Sequence, residues 1–109
     1  MTDQEINEAV ARKLGWEDFD DPRATRFEWR RKSDNPKRDQ FVVQLPDYCH
    51  DIKAAWEVVE KMASDGYSIT VGQNPCRCLA WKTHEDFNAI QEADTAPMAI
   101  CKAFLKLPN

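Results

Sequence analysis

Apolar residues recur at steps of one or three between positions 52 and 63, the spacing that lines one side of an α-helix. Gly66 then suits the left-handed residue that ends a helix, and Tyr67 can fold back on the last turn. The pattern predicts a helix from about Cys49 to Asp65 that lies on a sheet, with Trp56 in the core. Its apolar side consists of Ile52, Ala55, Trp56, Val59, Met62 and Ala63.

Two further helices are predicted, one near each end of the chain. Thr2 and Glu5 have the spacing of a capping box, in which each side chain accepts a hydrogen bond from the other residue's backbone N–H. They open a helix from about Asp3 to Leu14, which Gly15-Trp16 ends. The last helix is predicted from about Thr95 to Leu107, because apolar residues cover most of its circumference.

Alternating apolar and polar residues predict four strands between these helices. In the first strand, Phe27 and Trp29 point one way and charged residues the other, which indicates a half-exposed strand. In the second strand, the run Phe41-Val42-Val43 indicates a position nearer the middle of the sheet. The four strands are predicted at Arg26–Lys32, Gln40–Leu45, Tyr67–Val71 and Cys76–Lys82.

The remaining segments, Glu17 to Thr25 and His84 to Asp94, are acidic and are predicted to be loops. The element order is therefore α-β-β-α-β-β-α. Two hairpins separated by helices indicate an α+β fold with one largely antiparallel, four-stranded sheet. A chain of 109 residues is expected to form a single domain, residues 1–109.

Composition excludes some classes of protein. The net charge of −4 argues against a dedicated nucleic-acid binder, since counterion release rewards positively charged surfaces. No apolar run approaches the roughly 18 residues that a membrane span needs, and the N-terminal segment lacks the features of a signal peptide. We therefore expect a cytoplasmic protein with reduced thiols at Cys49, Cys76, Cys78 and Cys101.

Two stretches carry a family resemblance: PDYCHDIKAAWEVVEKM, residues 46–62, and ADTAPMAICKAFLKL, residues 93–107. Together with the acidic first helix that ends in Leu14-Gly15-Trp16, they resemble the phage ABA sandwich domain family, which comprises small proteins of bacteriophages and prophages. The resemblance implies helices packed on the sheet in an α-β-α sandwich. Because such a sandwich covers both faces of the sheet, whereas Arg26–Lys32 has one polar face, we place that strand at a sheet edge. It brings no known activity and no catalytic residue.

The start of the central helix departs from the family pattern. Similar sequences often have a serine there, whose oxygen accepts a backbone N–H, whereas this chain has Cys49. A thiol is a weak acceptor. We therefore expect Asp47 or Asp51 to share the capping role.

The sequence offers little candidate chemistry. Cys76 and Cys78 lie on one face of a strand and could begin a zinc site, although their spacing differs from the usual C-x-x-C pair. The competing interpretation is buried thiols. A nucleophilic Cys49 activated by His50 is a weaker hypothesis, because neighbouring residues at a helix start point apart. Without a known catalytic motif, we expect no catalytic residue, no metal and no cofactor. The other possible zinc ligands are Cys49, His50 and His84.

The first hairpin concentrates six of the chain's fifteen basic residues within thirteen positions. One interpretation is a surface for phosphates, with Trp29 available for stacking. The other is a solvated hairpin whose aromatic side chains face the core. Of the four tryptophans, Trp29 is expected to be partly exposed, and Trp16, Trp56 and Trp81 are expected to be buried. The candidate patch consists of Arg26, Trp29, Arg30, Arg31, Lys32, Lys37 and Arg38.

These observations favour a small, non-enzymatic phage or prophage accessory protein that acts in the host cytoplasm by binding. A protein partner, from host or phage, fits the mixed surface charge best. The alternative is binding of a nucleotide or nucleic acid through the basic hairpin, residues 26–38. An enzyme with an unrecognised site is a third and weaker hypothesis.

Overall fold

A computed structural model of the protein describes residues 1–19, 28–82 and 88–108. Over these residues the chain forms three α-helices and two three-stranded antiparallel sheets. The predicted α+β class is therefore confirmed, whereas the prediction of one four-stranded sheet is wrong. The elements are α1 (Asp3–Lys13), β1 (Trp16–Asp18), β2 (Trp29–Arg31), β3 (Gln40–Val42), α2 (Ile52–Ser64), β4 (Ser68–Gly72), β5 (Cys76–Trp81), β6 (Asn88–Ala93) and α3 (Ala96–Lys106).

The extra strands, β1 and β6, lie in segments that were predicted to be loops. In β6, the side chains on the inner face of the sheet are small or polar, as at Ala89 and Gln91. This weakens the alternation that marks a strand, while the acidic residues in and around β6, such as Glu92 and Asp94, are typical of a loop. The rest of the two predicted loops, residues 20–25 and 84–87, lies outside the described residues, as do Arg26 and Phe27.

Sheet A consists of β1, β2 and β3 in that order. The basic strand β2, predicted at an edge, lies in the middle, because β1 pairs with its other side through Trp16 opposite Arg31. The strand β3, predicted nearer the middle, is an outer strand of the described sheet. Trp29 is only 7% exposed, so the prediction that it is the partly exposed tryptophan is wrong. Trp16 is buried, as predicted.

Sheet B consists of β4, β5 and β6 in that order. Its inner face presents rows such as Ile69, Ala80 and Ala89, and the helices α2 and α3 pack there. In the described parts of the chain no helix covers the outer face, where Trp81 and Ile90 are exposed. The prediction of a buried Trp81 is therefore wrong, although Trp81 and Leu79 do share a strand face.

The helix at the centre of the fold is α3. It contacts α1, α2 and all three strands of sheet B. Most of its residues are consequently buried, among them Phe104 at 1% exposure. Its first turn is capped by Thr95, whose hydroxyl accepts a hydrogen bond from the Met98 N–H at 3.4 Å.

The buried side of α2 is rotated relative to the predicted one. The residues that face the core are Ala55, Val58, Val59 and Met62. Trp56, which was predicted to be in the core, is 52% exposed, and Ile52 is 50% exposed. The predicted apolar stripe is wider than the side of the helix that α3 and β4 cover. One edge of it is therefore left in solvent.

The helix ends follow the predicted local chemistry. The Thr2 hydroxyl accepts the Glu5 N–H at 3.2 Å, and the Glu5 carboxylate accepts the Thr2 N–H at 3.3 Å. Asp51 caps α2 by accepting the Lys53 N–H at 3.0 Å. At the other end, Gly66 has a φ of +95°, and the Tyr67 N–H donates to the Met62 carbonyl at 3.1 Å. The capping box, the Asp51 cap and the glycine–tyrosine end are all confirmed.

Candidate functional site

The basic hairpin does not present its arginines as one open patch. The guanidinium of Arg30 donates two hydrogen bonds to the Glu17 carboxylate, at 2.9 and 2.6 Å. It also lies over the ring of Phe19, 5.1 Å from the ring centre. The positive charge of Arg30 is thus matched by a carboxylate on the neighbouring strand β1.

Arg31 joins sheet A to α2. Its guanidinium donates to the Gln40 side-chain oxygen at 2.8 Å and forms an ion pair with Glu57 of α2. It also lies 4.7 Å from the ring centre of Trp16. The indole N–H of Trp16 in turn donates to the Tyr48 hydroxyl at 3.0 Å, and burial is the main cause that raises the pKa of Tyr48 to about 12. Arg31 therefore belongs to a structural junction.

The other members of the candidate patch are dispersed. Trp29 is buried and Arg26 lies outside the described residues. Lys32 is exposed and 3.9 Å from Glu17, while Lys37 and Arg38 are exposed in a 3₁₀ turn at residues 36–38. Binding through the hairpin stays a prediction, with Lys32, Lys37 and Arg38 as its exposed cations.

The four cysteines are free thiols, and three of them are buried. Desolvation raises the pKa of Cys78 to about 11, which keeps it protonated at neutral pH. The Cys101 thiol donates to the Tyr48 carbonyl at 3.1 Å. Within residues 1–19, 28–82 and 88–108, no group of three His, Cys, Asp or Glu side chains is arranged to hold a metal ion. His84, a possible zinc ligand, lies outside these ranges.

The neighbouring residues Cys49 and His50 are turned to different partners. Both ring nitrogens of His50 contact carboxylates, with Nε2 at 2.9 Å from Asp3 and Nδ1 at 2.9 Å from Asp47. Those carboxylates raise the pKa of His50. The Cys49 thiol lies 3.6 Å from the Asp3 carbonyl, and burial raises its pKa. This geometry disfavours a thiolate nucleophile at Cys49, since the imidazole nitrogens are already occupied.

A prominent exposed apolar feature of the described surface is the uncovered edge of α2. We call it the α2 stripe and define it as Ile52, Trp56, Val59 and Ala63, of which Val59 is buried where the stripe borders the core. Steps of four, three and four residues place these side chains in line along the helix. Lys53 and Glu60 flank the stripe on the solvent side, and both are exposed. A half-exposed tryptophan beside a half-exposed isoleucine is the kind of surface that marks interaction sites.

A second apolar area lies on the outer face of sheet B. It is centred on the row Thr70, Leu79 and Ile90, with Trp81 beside it. Ile90 is 59% exposed, although its segment was predicted to be a loop. One end of this face carries the ion pair between Arg77 and Glu92, at 2.5 Å.

Comparison with known proteins identifies the family. The model of the phage ABA sandwich domain matches residues 8–105 of this chain. The chain belongs to the phage ABA sandwich domain family. The resemblance carried by the two helices is thereby confirmed. None of the curated proteins compared with the chain matches it.

One solved structure has a fold similar to that of this chain. It is the crystal structure of a phage protein from Bacillus cereus ATCC 14579, which is 28% identical to this chain. The match covers 97% of this chain and 91% of that one, with a TM-score of 0.66. The two proteins therefore share a similar fold over nearly their whole lengths. Within the described residues, this family member has no helix long and apolar enough to cross a membrane.

The α2 stripe was not predicted to be a surface, because Trp56 was expected to lie in the core. The sequence feature that could have indicated this surface is the width of the apolar side of α2. A side that packs on one neighbouring layer spans a little over 100° of the helix circumference, whereas Val58 and Trp56 bound a distinctly wider sector. When a helix is apolar over such a sector, part of its apolar side stays exposed after it packs on the core. A partner can cover that exposed part.

Proposed function

We propose that this phage-family protein is a non-enzymatic accessory protein that binds a host or phage protein through the α2 stripe. The observation that carries the proposal is the exposure of Trp56 in the middle of that stripe. A tryptophan side chain brings about 150–250 Å² of contact area, and tryptophan is enriched among the residues that dominate binding energy at protein interfaces.

The shape of the stripe favours a helical partner. Apolar side chains at steps of four, three and four are the pattern by which two helices pack along a shared seam. Lys53 and Glu60 beside it supply charges of both signs, which suits the polar rim of a protein interface. The expected occupant is an amphipathic helix with apolar residues at the same spacing.

The charge distribution supports a protein over a nucleic acid. The chain carries a net charge of −4. Glu17 and Glu57 neutralise Arg30 and Arg31, the two arginines in the middle of the basic hairpin. Phosphate binding would have to displace these carboxylates, whereas the α2 stripe requires no rearrangement to be covered.

The proposal is tested by crosslinking and then by affinity. A photoreactive amino acid replaces Glu60, beside the stripe, or Glu92, on the outer face of sheet B, and each protein is exposed to a lysate of phage-infected cells. A partner captured from Glu60 but not from Glu92 is purified, and its dissociation constant is measured by calorimetry for the wild type and two variants.

In this measurement, Trp56→Ala is expected to weaken binding about tenfold or more, because it removes the central apolar side chain. Trp81→Ala is the matched control, since it removes an exposed tryptophan on the other surface, and it is expected to leave the affinity unchanged. Equal losses in the two variants, or none in Trp56→Ala, would contradict binding through the α2 stripe.

A further inference from the structure

The α2 stripe has a polar rim that carries one charge of each sign. Lys53 and Glu60 are both exposed, and their spacing of seven residues places them on the same side of the helix, two turns apart. On the other side of the stripe, Ala55 and Met62 are buried in the core. A second helix laid on the stripe can therefore form charged contacts along one side, which Lys53 and Glu60 border.

The order of the apolar residues suits an antiparallel copy of the same helix. When two α2 helices run in opposite directions with their stripes in contact, one register places Trp56 of each copy opposite Val59 of the other. The same register places Ile52 opposite Ala63, because both pairs are centred on the point between positions 57 and 58. Each larger side chain thus meets a smaller one, which lets the two helices approach closely.

The charges agree with this register. In an antiparallel helix pair, residues that flank the seam on one side face the corresponding residues of the other helix. Lys53 of each copy then faces Glu60 of the other, and two-fold symmetry produces this salt bridge twice. A parallel pair would instead place Trp56 beside its own counterpart and keep Lys53 and Glu60 apart. Of the two directions, only the antiparallel one matches opposite charges.

The contact between two α2 stripes is small. The helix has 13 residues, so the stripe is about 20 Å long and roughly 10 Å wide. Its exposed apolar surface comes mainly from Trp56, at 52% exposure, and Ile52, at 50%. Stable complexes bury about 800 Å² on each partner, and smaller interfaces belong to transient complexes. The expected association is therefore weak and reversible.

From this self-complementarity we propose that the α2 stripe binds the α2 stripe of a second copy of the chain, in an antiparallel two-fold dimer. Trp56 and Ile52 supply the apolar contact, and the pairs between Lys53 and Glu60 fix the direction of the helices. The inference rests on the proposed function in that it uses the same surface. It adds that a partner helix has to compete with a second copy for that surface.

Sedimentation velocity of the purified protein between about 10 μM and 1 mM tests the dimer. The wild type is expected to shift from monomer towards dimer within this range. Trp56→Ala is expected to weaken dimerisation about tenfold or more, because it removes the largest apolar contact. Trp81→Ala removes an exposed tryptophan from the outer face of sheet B and is the matched control. It is expected to change the dissociation constant less than about twofold.

The direction of the helices is tested by exchanging charges. Lys53→Glu alone places two carboxylates against each other at both ends of the seam, and it is expected to weaken dimerisation about fivefold or more at low salt. Adding Glu60→Lys restores opposite charges in the reverse order and is expected to recover the wild-type constant within about twofold. Lys37→Glu makes the same change in net charge at an exposed position outside α2 and is expected to have no effect.

A protein that stays monomeric up to about 1 mM would overturn the inference. Equal losses in Trp56→Ala and Trp81→Ala, or a double charge exchange that does not recover dimerisation, would also overturn it. A monomeric protein that still captures a partner from position 60 would leave the proposed function standing. A dimer from which no partner is captured would support self-association and refute the proposed function, so the two proposals fail separately. Thermal melting of all variants checks that the fold is kept.

Discussion

The helices α2 and α3 are both apolar and of similar length, yet they are covered to different extents. α3 packs against two helices and three strands, whereas α2 packs against α3 and β4 and is joined to sheet A by the ion pair between Arg31 and Glu57. Accordingly Phe104 of α3 is almost completely buried, while Trp56 of α2 is half exposed. Apolar content alone therefore does not determine burial. The number of neighbours that a helix finds decides which apolar residues become core and which become surface.

The largest effect is expected from Phe104→Ala. This change empties a buried site where α3 meets α1, and truncations of this kind cost about 3–5 kcal/mol of unfolding free energy. Urea denaturation monitored by tryptophan fluorescence measures the loss. A loss below about 1 kcal/mol would mean that α3 is not the centre of the core.

Met62→Ala tests the inner side of α2. Met62 is fully buried, so its truncation is expected to cost about 2–5 kcal/mol. Lys53→Ala, at an exposed position of the same helix, is the control and is expected to change stability by less than about 0.5 kcal/mol. Equal effects would contradict the assignment of the buried side.

Gly66→Ala tests the end of α2. A Cβ would be added where φ is +95°, a conformation that L side chains rarely adopt, and it would meet Lys82 at 3.5 Å. The expected cost is about 1–2 kcal/mol, measured by thermal or urea denaturation. Gly72→Ala is the control, since an added Cβ there meets nothing within 4 Å. A stability unchanged at residue 66 would be inconsistent with the left-handed end of this helix.

Trp56→Ala tests the exposed side of α2. Because about half of this side chain is already in solvent, its truncation is expected to cost roughly 1 kcal/mol, well below the cost of Phe104→Ala. The two variants are compared in the same denaturation experiment. A loss for Trp56→Ala as large as that for Phe104→Ala would place the tryptophan in the core after all.

The smallest effect concerns pH and the contact between α1 and the segment before α2. Hydrogen bonds to Asp3 and Asp47 raise the pKa of His50 above its ordinary value of 6.5. Folding therefore favours protonated His50, and its contribution to stability is fully present below pH 6.5 and is lost as pH rises through the higher, folded-state pKa. Melting temperatures across this window should fall slightly in the wild type. In His50→Gln this change should be absent, and an identical profile would exclude the contribution.

Local features of this chain were predictable from sequence because their causes lie within a few residues. The capping pair Thr2 and Glu5 and the end of α2 at Gly66 depend only on neighbouring backbone groups, and both were predicted correctly. The α+β class followed from the periodicity of the stronger elements. The strand β6 was missed because its small inner side chains carry little hydrophobic signal.

Features that depend on distant residues were not predictable in the same way. The periodicity of α2 defined an apolar side, but only the position of α3 determines that Met62 is covered and Trp56 is not. Glu17 and Glu57 lie outside the hairpin segment whose arginines they neutralise.

The Lys13 ammonium donates to the carbonyls of Phe104 and Leu107 at the end of α3, and these hydrogen bonds link the first and last helices without the help of either sheet. Helix ends ordinarily fray independently and exchange their amide protons quickly. Here the final turns of α1 and α3 can open only together, because opening either one leaves a half-buried ammonium without its acceptors. Their amide protons should therefore exchange with deuterium at matching rates, and replacing Lys13 by methionine should accelerate exchange at both ends at once.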